Sequence, residues 1–227
     1  MSDVLELPKT ATHLDPLARS GTIGIIADEC WRYTATVISV FATNTPPNWT
    51  VRVPMGRNIS KNCNKLVRDF QGDLLWFQAD DHVWDSGTLA RLEAHQVDCV
   101  VPVILMRQKP FHPVVFSHEI ENGQHMIWQD LPYNELVEVY AAGTGGMLVS
   151  RDALEAVGEN PFSFEQLDHG EFLGEDLSFC KKLRDAGVKI HCDTGVFMGH
   201  LSATAVWPAY DPEQGWQVRL DLNSGAK

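Results

Sequence analysis

Two acidic residues and a histidine follow directly on a strongly apolar run. Residues Leu74 to Phe77 are all large and apolar, and Asp80, Asp81 and His82 come shortly after them. A run of this kind is typical of a strand buried on both faces, and open α/β sheets bind ligands at the carboxyl ends of their strands. In an extended backbone Asp80 and His82, two residues apart, point to the same side and could bind one divalent cation. The segment is equally consistent with a strand followed by an acidic turn.

Two places further along the chain carry side chains that could join such a site. His200 directly follows a predicted strand over residues 195–198. It is either a hydrogen-bonded structural histidine or a third ligand, because mixed carboxylate and imidazole sites suit Mn²⁺ and its neighbours. Glu175 and Asp176 open a predicted helix over residues 174–186. There they either stabilise the helix through its dipole or supply a general base whose pKa the dipole lowers.

A glycine-rich segment, Gly143-Thr144-Gly145-Gly146, separates two predicted strands. It lacks the spacing of a dinucleotide-binding fingerprint and the Gly-Lys-Ser/Thr of a P-loop. A tight turn between strands is one interpretation, and a backbone that approaches a ligand closely is the other.

The elements that must position these residues alternate between strand and helix, which indicates an α/β fold with a mixed, mostly parallel central sheet flanked by helices. Strands are predicted at 22–27, 51–53, 74–78, 99–106, 137–141, 147–149, 188–191 and 195–198, with a hairpin over 110–129. Helices are predicted at 30–43, 58–70, 86–95, 151–157 and 174–186. The helix at 58–70 is amphipathic, and its basic stripe is either a solvated face or a source of positive field at the cleft: Arg57, Lys61, Lys65 and Arg68.

Composition restricts the class of protein. With 227 residues and 44% hydrophobic content the chain favours one domain. A net charge of −12 argues against nucleic acid or an anionic membrane as the main partner. Five cysteines without Cys-x-x-Cys spacing favour reduced thiols. The N-terminus lacks a secretion-signal pattern, and no apolar run approaches the roughly 20 residues of a membrane span. We therefore expect a cytoplasmic protein without an integral membrane segment.

Taken in order, these features resemble the GT-A-fold glycosyltransferases, and among them the family-2-like group that uses nucleotide diphosphate sugars. The resemblance covers residues 21–201, which leaves 1–20 as an N-terminal extension and 202–227 as a C-terminal tail packed on the domain. It implies a single Rossmann-like domain that transfers a sugar from a nucleotide diphosphate donor to an acceptor hydroxyl. Whether the acceptor is a glycan, a lipid-linked molecule or a protein is left open.

The resemblance also implies roles for individual residues. The family's Asp-x-Asp metal motif corresponds to Asp80-Asp81-His82, which is closer to the Asp-x-His of polypeptide N-acetylgalactosaminyltransferases. Asp80 and His82 are then ligands of Mn²⁺ or Mg²⁺, Asp81 lies nearer the donor sugar or ribose, and His200 completes the metal site. The residues that match the family's acidic doublet, whose Asp is the base in inverting members, are Glu175 and Asp176. The further residues implied at the donor are Asn64, Asp28, Gly145 and Gly146.

Two other functions share parts of this pattern. A metal-dependent nucleotidyltransferase also binds a nucleotide through paired acids on an α/β sheet, but the segment after the first predicted strand, residues 27–30, is acidic and lacks a glycine-rich basic loop. A catalytically weak module that binds a nucleotide or glycan without turnover is the other alternative, which the histidine in the metal motif keeps open.

Overall fold

The structure is a computed structural model that describes residues 19–27, 33–120, 124–167, 170, 172–201 and 204–222. In chain order the strands are β1 (Gly21–Ile26), β2 (Trp49–Arg52), β3 (Leu74–Ala79), β4 (His82–Val83), β5 (Cys99–Val103), β6 (Val115–Glu119), β7 (His125–Ile127), β8 (Leu136–Val139), β9 (Ala141–Ala142), β10 (Leu148–Ser150), β11 (Glu165–Gln166), β12 (Phe172–Leu173), β13 (Ile190–Phe197), β14 (Gly199–His200), β15 (Thr204–Asp211) and β16 (Gly215–Leu222). The helices are α1 (Thr34–Ala42), α2 (Ile59–Asp69), α3 (Thr88–Glu93), α4 (Arg151–Val157) and α5 (Glu175–Asp185).

The central sheet has seven strands in the order β2-β1-β3-β10-β5-β13-β8. The pairs β1–β2, β1–β3 and β5–β13 are parallel, whereas both pairs of β10 and the pair β8–β13 are antiparallel. The α/β class and the mixed sheet are confirmed. The emphasis on parallel pairing needs correction, because antiparallel pairs predominate when the smaller sheets of the described residues are included. Short connections and hairpins join strands only in antiparallel order, and this chain has many of them.

Strand β3 crosses the middle of the domain and explains the apolar run in the sequence. Its side chains alternate between two cores: Leu75 and Phe77 pack beneath α2 and α5, and Leu74 and Trp76 pack beneath α1 and α3. All four side chains are almost completely buried, and full burial of one such side chain contributes about 1.5–3 kcal/mol. A strand buried on both faces in this way holds its carboxyl end, and the acidic residues after it, in one position.

Helix α2 forms where its amphipathic pattern predicts it, but its basic side chains do not act together. Lys65 pairs with Asp69 one turn further along at 2.8 Å, and Arg68 donates to Asn160 at 2.9 Å. Arg57, just before the helix, lines the cavity described below. Of the basic stripe, Arg57 is therefore the residue that can influence the site directly.

The segment after Leu201 contains a hairpin of β15 and β16, where we predicted only a tail packed on the domain. It extends a sheet in the order β16-β15-β14-β4. Tyr210 stacks on Tyr133 with ring centroids 4.0 Å apart, and the indole N–H of Trp216 donates to the Leu131 carbonyl at 2.7 Å. These contacts attach the hairpin to the domain beside β14. No helix in the described part of the chain is both long enough and apolar enough to cross a bilayer.

Candidate metal centre

The two histidines singled out in the sequence are cross-strand neighbours. Strand β4 pairs antiparallel with β14, which places His200 opposite His82 and Gly199 opposite Val83. The imidazole rings lie with their centroids 4.7 Å apart. The backbone N–H of Leu201 donates to the carbonyl of Asp81 at 2.7 Å and extends this pairing by one residue. Pairing of two very short strands therefore brings distant parts of the sequence to one point.

Asp81 completes a cluster with these histidines. Its Oδ1 lies 4.0 Å from Nε2 of His82, and its Oδ2 lies 3.6 Å from Nε2 of His200. One ligand atom from each of the three residues falls within 4.8 Å of the other two. Oδ2 also accepts from Nη1 of Arg107 at 3.0 Å. A carboxylate and two imidazoles this close together could hold a divalent transition-metal ion.

The protonation states of the cluster suit a metal ion. Burial raises the pKa of Asp81, but its interactions with His200, His82 and Arg107 outweigh burial and lower the pKa to about 2. Burial lowers the pKa of His82 to about 4 against the attraction of Asp81. At neutral pH the cluster therefore presents an ionised carboxylate and a neutral imidazole, which are the forms that bind metals.

The orientation of the two imidazole rings is also compatible with a bound metal cation. Nδ1 of His200 lies 2.9 Å from the carbonyl of Leu105, and a carbonyl only accepts, so Nδ1 carries the proton. In the neutral ring the Nε2 lone pair then faces the Asp81 carboxylate, an arrangement that a proton or a metal cation between them stabilises. Nδ1 of His82 is buried and has no hydrogen-bond partner among the described residues. These two ring nitrogens, one on each histidine, are therefore available as ligands of a cation.

Asp80 lines the cavity but is not part of the cluster of ligand atoms. The prediction places Asp80 and His82 together as ligands, but the cluster of ligand atoms contains Asp81 instead. Strand β3 ends at Ala79 and a turn over residues 80–81 follows, so the alternation of an extended strand does not apply across the motif. The Asp80 carbonyl accepts from the hydroxyl of Thr36 at 3.0 Å, and Asp80 lines the same cavity. A ligand role for Asp80 stays a prediction.

The cluster opens into a cavity of about 570 Å³ at the carboxyl ends of β1 and β3. This volume lies in the range of small-molecule sites. Predicted site residues that line the cavity are Asp80, Asp81, His82, Gly145, Glu175, Asp176 and His200. The remaining polar and charged lining includes Arg57, Arg107 and Thr144, and the apolar lining includes Ile26, Ala27, Ile59, Pro102, Ile104 and Val114.

The acidic doublet opens α5 as predicted, but its electrostatics differ from the expectation. Burial raises the pKa of Asp176, against the hydrogen bond that its Oδ1 accepts from the backbone N–H of Leu177 at 2.8 Å. Burial also raises the pKa of Glu175, and the charge of Asp176 adds to the rise. The predicted lowering by the helix dipole is wrong because desolvation of the carboxylates is the larger effect. A raised pKa makes each carboxylate a stronger proton acceptor.

The glycine turn packs against the metal cluster. A Cβ on Gly145 would collide with the imidazole of His82. Gly146 has φ +76°, and a Cβ there would lie 2.5 Å from Cγ of Pro102. Gly145 therefore requires glycine because of the His82 ring, and Gly146 because of its positive φ and the nearby Pro102. Gly145 lines the cavity, whereas Gly146 is not part of its lining. The donor roles that the resemblance implies for the two glycines stay predictions.

Two asparagines on α2 have different places in the structure. The side-chain amide of Asn64 donates to the Phe162 carbonyl at 2.8 Å and accepts from the Phe162 N–H at 2.9 Å, away from the cavity lining. Asn62 donates to the carbonyls of Gly56 and Ala27 at 2.7 and 3.2 Å, and both of these residues line the cavity. Sequence reasoning singled out Asn64 and missed Asn62, because the helical pattern alone does not distinguish two buried polar positions. Asp28 lies outside the described residues.

Arg107 is a second residue that sequence reasoning did not connect with the metal cluster. It follows β5 on the loop toward β6, lines the cavity and pairs with Asp81. The sequence gives only a weak indication of this role, because a basic residue shortly after a buried strand is common at the edge of any α/β sheet.

Comparison with known proteins supports the fold. No protein-family model matches the sequence, and no curated protein matches it. The crystal structure of A197 from STIV matches with a TM-score of 0.59 at 15% identity, over 91% of this chain and 96% of that chain. The crystal structure of GalNAc-T7 with UDP, GalNAc and Mn²⁺ matches with a TM-score of 0.57 at 11% identity. That match covers 82% of this chain and 44% of the GalNAc-T7 chain, so this chain spans less than half of that protein's length. The GT-A fold is confirmed.

Proposed function

We propose that this protein is a metal-dependent glycosyltransferase that moves a sugar from a nucleotide diphosphate donor to an acceptor hydroxyl. One observation carries the proposal: a carboxylate and two histidines close enough together to hold one metal ion share a cavity with two partly buried carboxylates. The similar GalNAc-T7 structure contains UDP, GalNAc and Mn²⁺, and we take the donor class and the metal from that likeness.

The residues that would hold Mn²⁺ or Mg²⁺ are Asp81, His82 and His200, with Asp80 as a further ligand from the same cavity. A bound divalent ion neutralises the charge that develops on the departing nucleoside diphosphate. Arg57 also lines this cavity and attracts an anionic donor in a chain that is acidic as a whole.

Asp176 is the base in this proposal. Its carboxylate is partly buried and has a raised pKa, which favours acceptance of a proton from the acceptor hydroxyl as the oxygen attacks the anomeric carbon. Direct attack by the acceptor inverts the anomeric configuration. Glu175 lines the cavity beside Asp176, and the charge of Asp176 adds to the rise that burial produces in the pKa of Glu175.

The remaining donor contacts follow from the cavity lining. Gly145 lies against His82, where its backbone can approach the donor sugar without a side chain in between. Ile26, Ala27 and Ile59 form an apolar part of the lining that suits the flat face of a nucleotide base. Asp28, Asn64 and Gly146 remain donor contacts on the strength of the resemblance alone.

A panel of nucleotide diphosphate sugars with and without Mn²⁺ tests the proposal. The matching donor raises the melting temperature only with Mn²⁺, because a ligand that binds the native state stabilises it, and nucleoside diphosphate is released. Stabilisation without release indicates the binding module. Release of pyrophosphate from a nucleoside triphosphate and a sugar phosphate indicates the nucleotidyltransferase.

A further inference from the structure

We propose that Arg107 is a built-in counter-ion of the metal centre, which leaves Asp81 when a divalent cation binds and then pairs with the anionic ligand. The proposal rests on the proposed function, because it assigns a role within the same site. It makes Arg107 a positioning residue that couples cation binding to anion binding.

The ion pair uses a carboxylate oxygen that a bound cation would also use. Oδ2 of Asp81 accepts from Nη1 of Arg107 at 3.0 Å and lies 3.6 Å from Nε2 of His200. With Arg107 in place, the one negative charge of Asp81 is already balanced. A divalent ion beside an unmoved Arg107 would place three positive charges around the Asp81 carboxylate. Departure of Arg107 from Asp81 removes that conflict.

Arg107 has space to make this movement. Its side chain is 43% exposed, whereas that of Asp81 is only 10% exposed. It lines the cavity in which we place the donor, so a short movement takes the guanidinium from the carboxylate toward an anion in the cavity. A guanidinium binds phosphate oxygens through two parallel hydrogen bonds.

The loop that carries Arg107 is attached to the metal centre at a second point. The carbonyl of Leu105 accepts from Nδ1 of His200 at 2.9 Å, two residues before Arg107. The N–H of Met106 donates to the carbonyl of His112 at 2.9 Å and closes the loop into a narrow turn. The loop therefore keeps His200 oriented through Leu105 while the Arg107 side chain moves.

Binding of Mn²⁺ alone, measured by the electron paramagnetic resonance signal of the free ion, tests the first half of the proposal. Arg107→Gln removes the competing charge, and we expect Mn²⁺ to bind more tightly, on the order of tenfold. Arg107→Lys keeps the charge, and its Mn²⁺ affinity stays close to that of the wild type. Arg68→Gln removes the same charge outside the cavity, where Arg68 donates to Asn160, and leaves Mn²⁺ affinity unchanged.

Binding of UDP at saturating Mn²⁺ tests the second half. Coupling between two ligands is reciprocal, so the gain in UDP affinity that Mn²⁺ produces in the wild type falls about tenfold in Arg107→Gln and persists in Arg68→Gln. The proposal is overturned if Arg107→Gln binds Mn²⁺ no more tightly than the wild type does. It is also overturned if Mn²⁺ increases the UDP affinity of Arg107→Gln as much as that of the wild type. Tighter Mn²⁺ binding by Arg107→Gln in a protein that turns over no nucleotide sugar leaves the counter-ion role in place and removes the transferase.

Discussion

His82 and His200 lie directly opposite each other on paired strands, with their ring centroids 4.7 Å apart. The pairing of β4 with β14 involves two residues on each strand. A shift of the register by one residue would turn one imidazole to the other face of the sheet. The metal centre therefore depends on the contacts that hold this register, and these contacts include the glycine turn beneath His82.

Gly145→Ala should disturb the metal centre directly. The added methyl group meets the imidazole of His82, so the ring must rotate or the turn must shift. We expect Mn²⁺ affinity to fall at least about tenfold and stability to fall by about 1–3 kcal/mol, as for other overpacked sites. The measurements are Mn²⁺ titration and urea unfolding.

Gly187→Ala is the matched control for that change. Gly187 has φ +80° and no atom near its added Cβ, so alanine strains the backbone at a cost of about 1 kcal/mol without contact with the metal centre. Equal loss of Mn²⁺ affinity in both variants would show that the effect of Gly145→Ala comes from general destabilisation.

Asp176→Asn separates catalysis from stability. Loss of the base lowers transfer by about 10²–10⁴-fold while donor affinity is retained. Because burial raises the folded-state pKa of Asp176, its ionised form destabilises the fold. That destabilisation is absent below the unfolded pKa, about 3.9, and grows as pH rises toward the folded pKa. The asparagine variant should therefore melt higher than the wild type at neutral pH, and the difference should shrink toward pH 4. Near-full transfer activity in this variant would remove Asp176 as the base.

Asn62→Ala and Asn64→Ala form a matched pair on α2. Each loses a buried side chain that makes two hydrogen bonds to backbone groups, and each should lose about 1–3 kcal/mol of stability. Asn62 alone bonds residues that line the cavity, so its alanine variant should also bind UDP more weakly at saturating Mn²⁺. If UDP binding is weaker in Asn64→Ala but unchanged in Asn62→Ala, the donor role that the resemblance implies for Asn64 is favoured.

The sequence predicts well those elements that are buried in a regular pattern. The ends of β3 and α2 lie within a residue or two of the prediction because each has a continuous apolar run or a clear helical period. The hairpin of β15 and β16 was missed although residues 216–222 alternate between apolar and polar side chains. Part of the stability of the hairpin comes from stacking of Tyr210 on Tyr133. Such tertiary contacts leave no periodic signal.

The sequence predicts most of the residues that form the candidate site, but it predicts their arrangement in space less well. His82 and His200 meet as predicted because strands of one sheet bring their ends together. The exchange of Asp81 for Asp80 in the cluster follows from a two-residue turn, whose exact position is among the least predictable features of a chain. The roles of Asn62 and Arg107 depend on hydrogen-bond partners far away in the sequence.

Release of nucleoside diphosphate from a nucleotide sugar, measured in the wild type and in His200→Ala, tests the central claim most directly. We expect release with Mn²⁺, loss of release in EDTA, recovery when Mn²⁺ is added back, and a decrease of about 10²-fold or more in His200→Ala, since the ion would lose one of three ligands. Release that is the same in EDTA, or the same in the variant, would contradict a metal-dependent transferase centred on Asp81, His82 and His200.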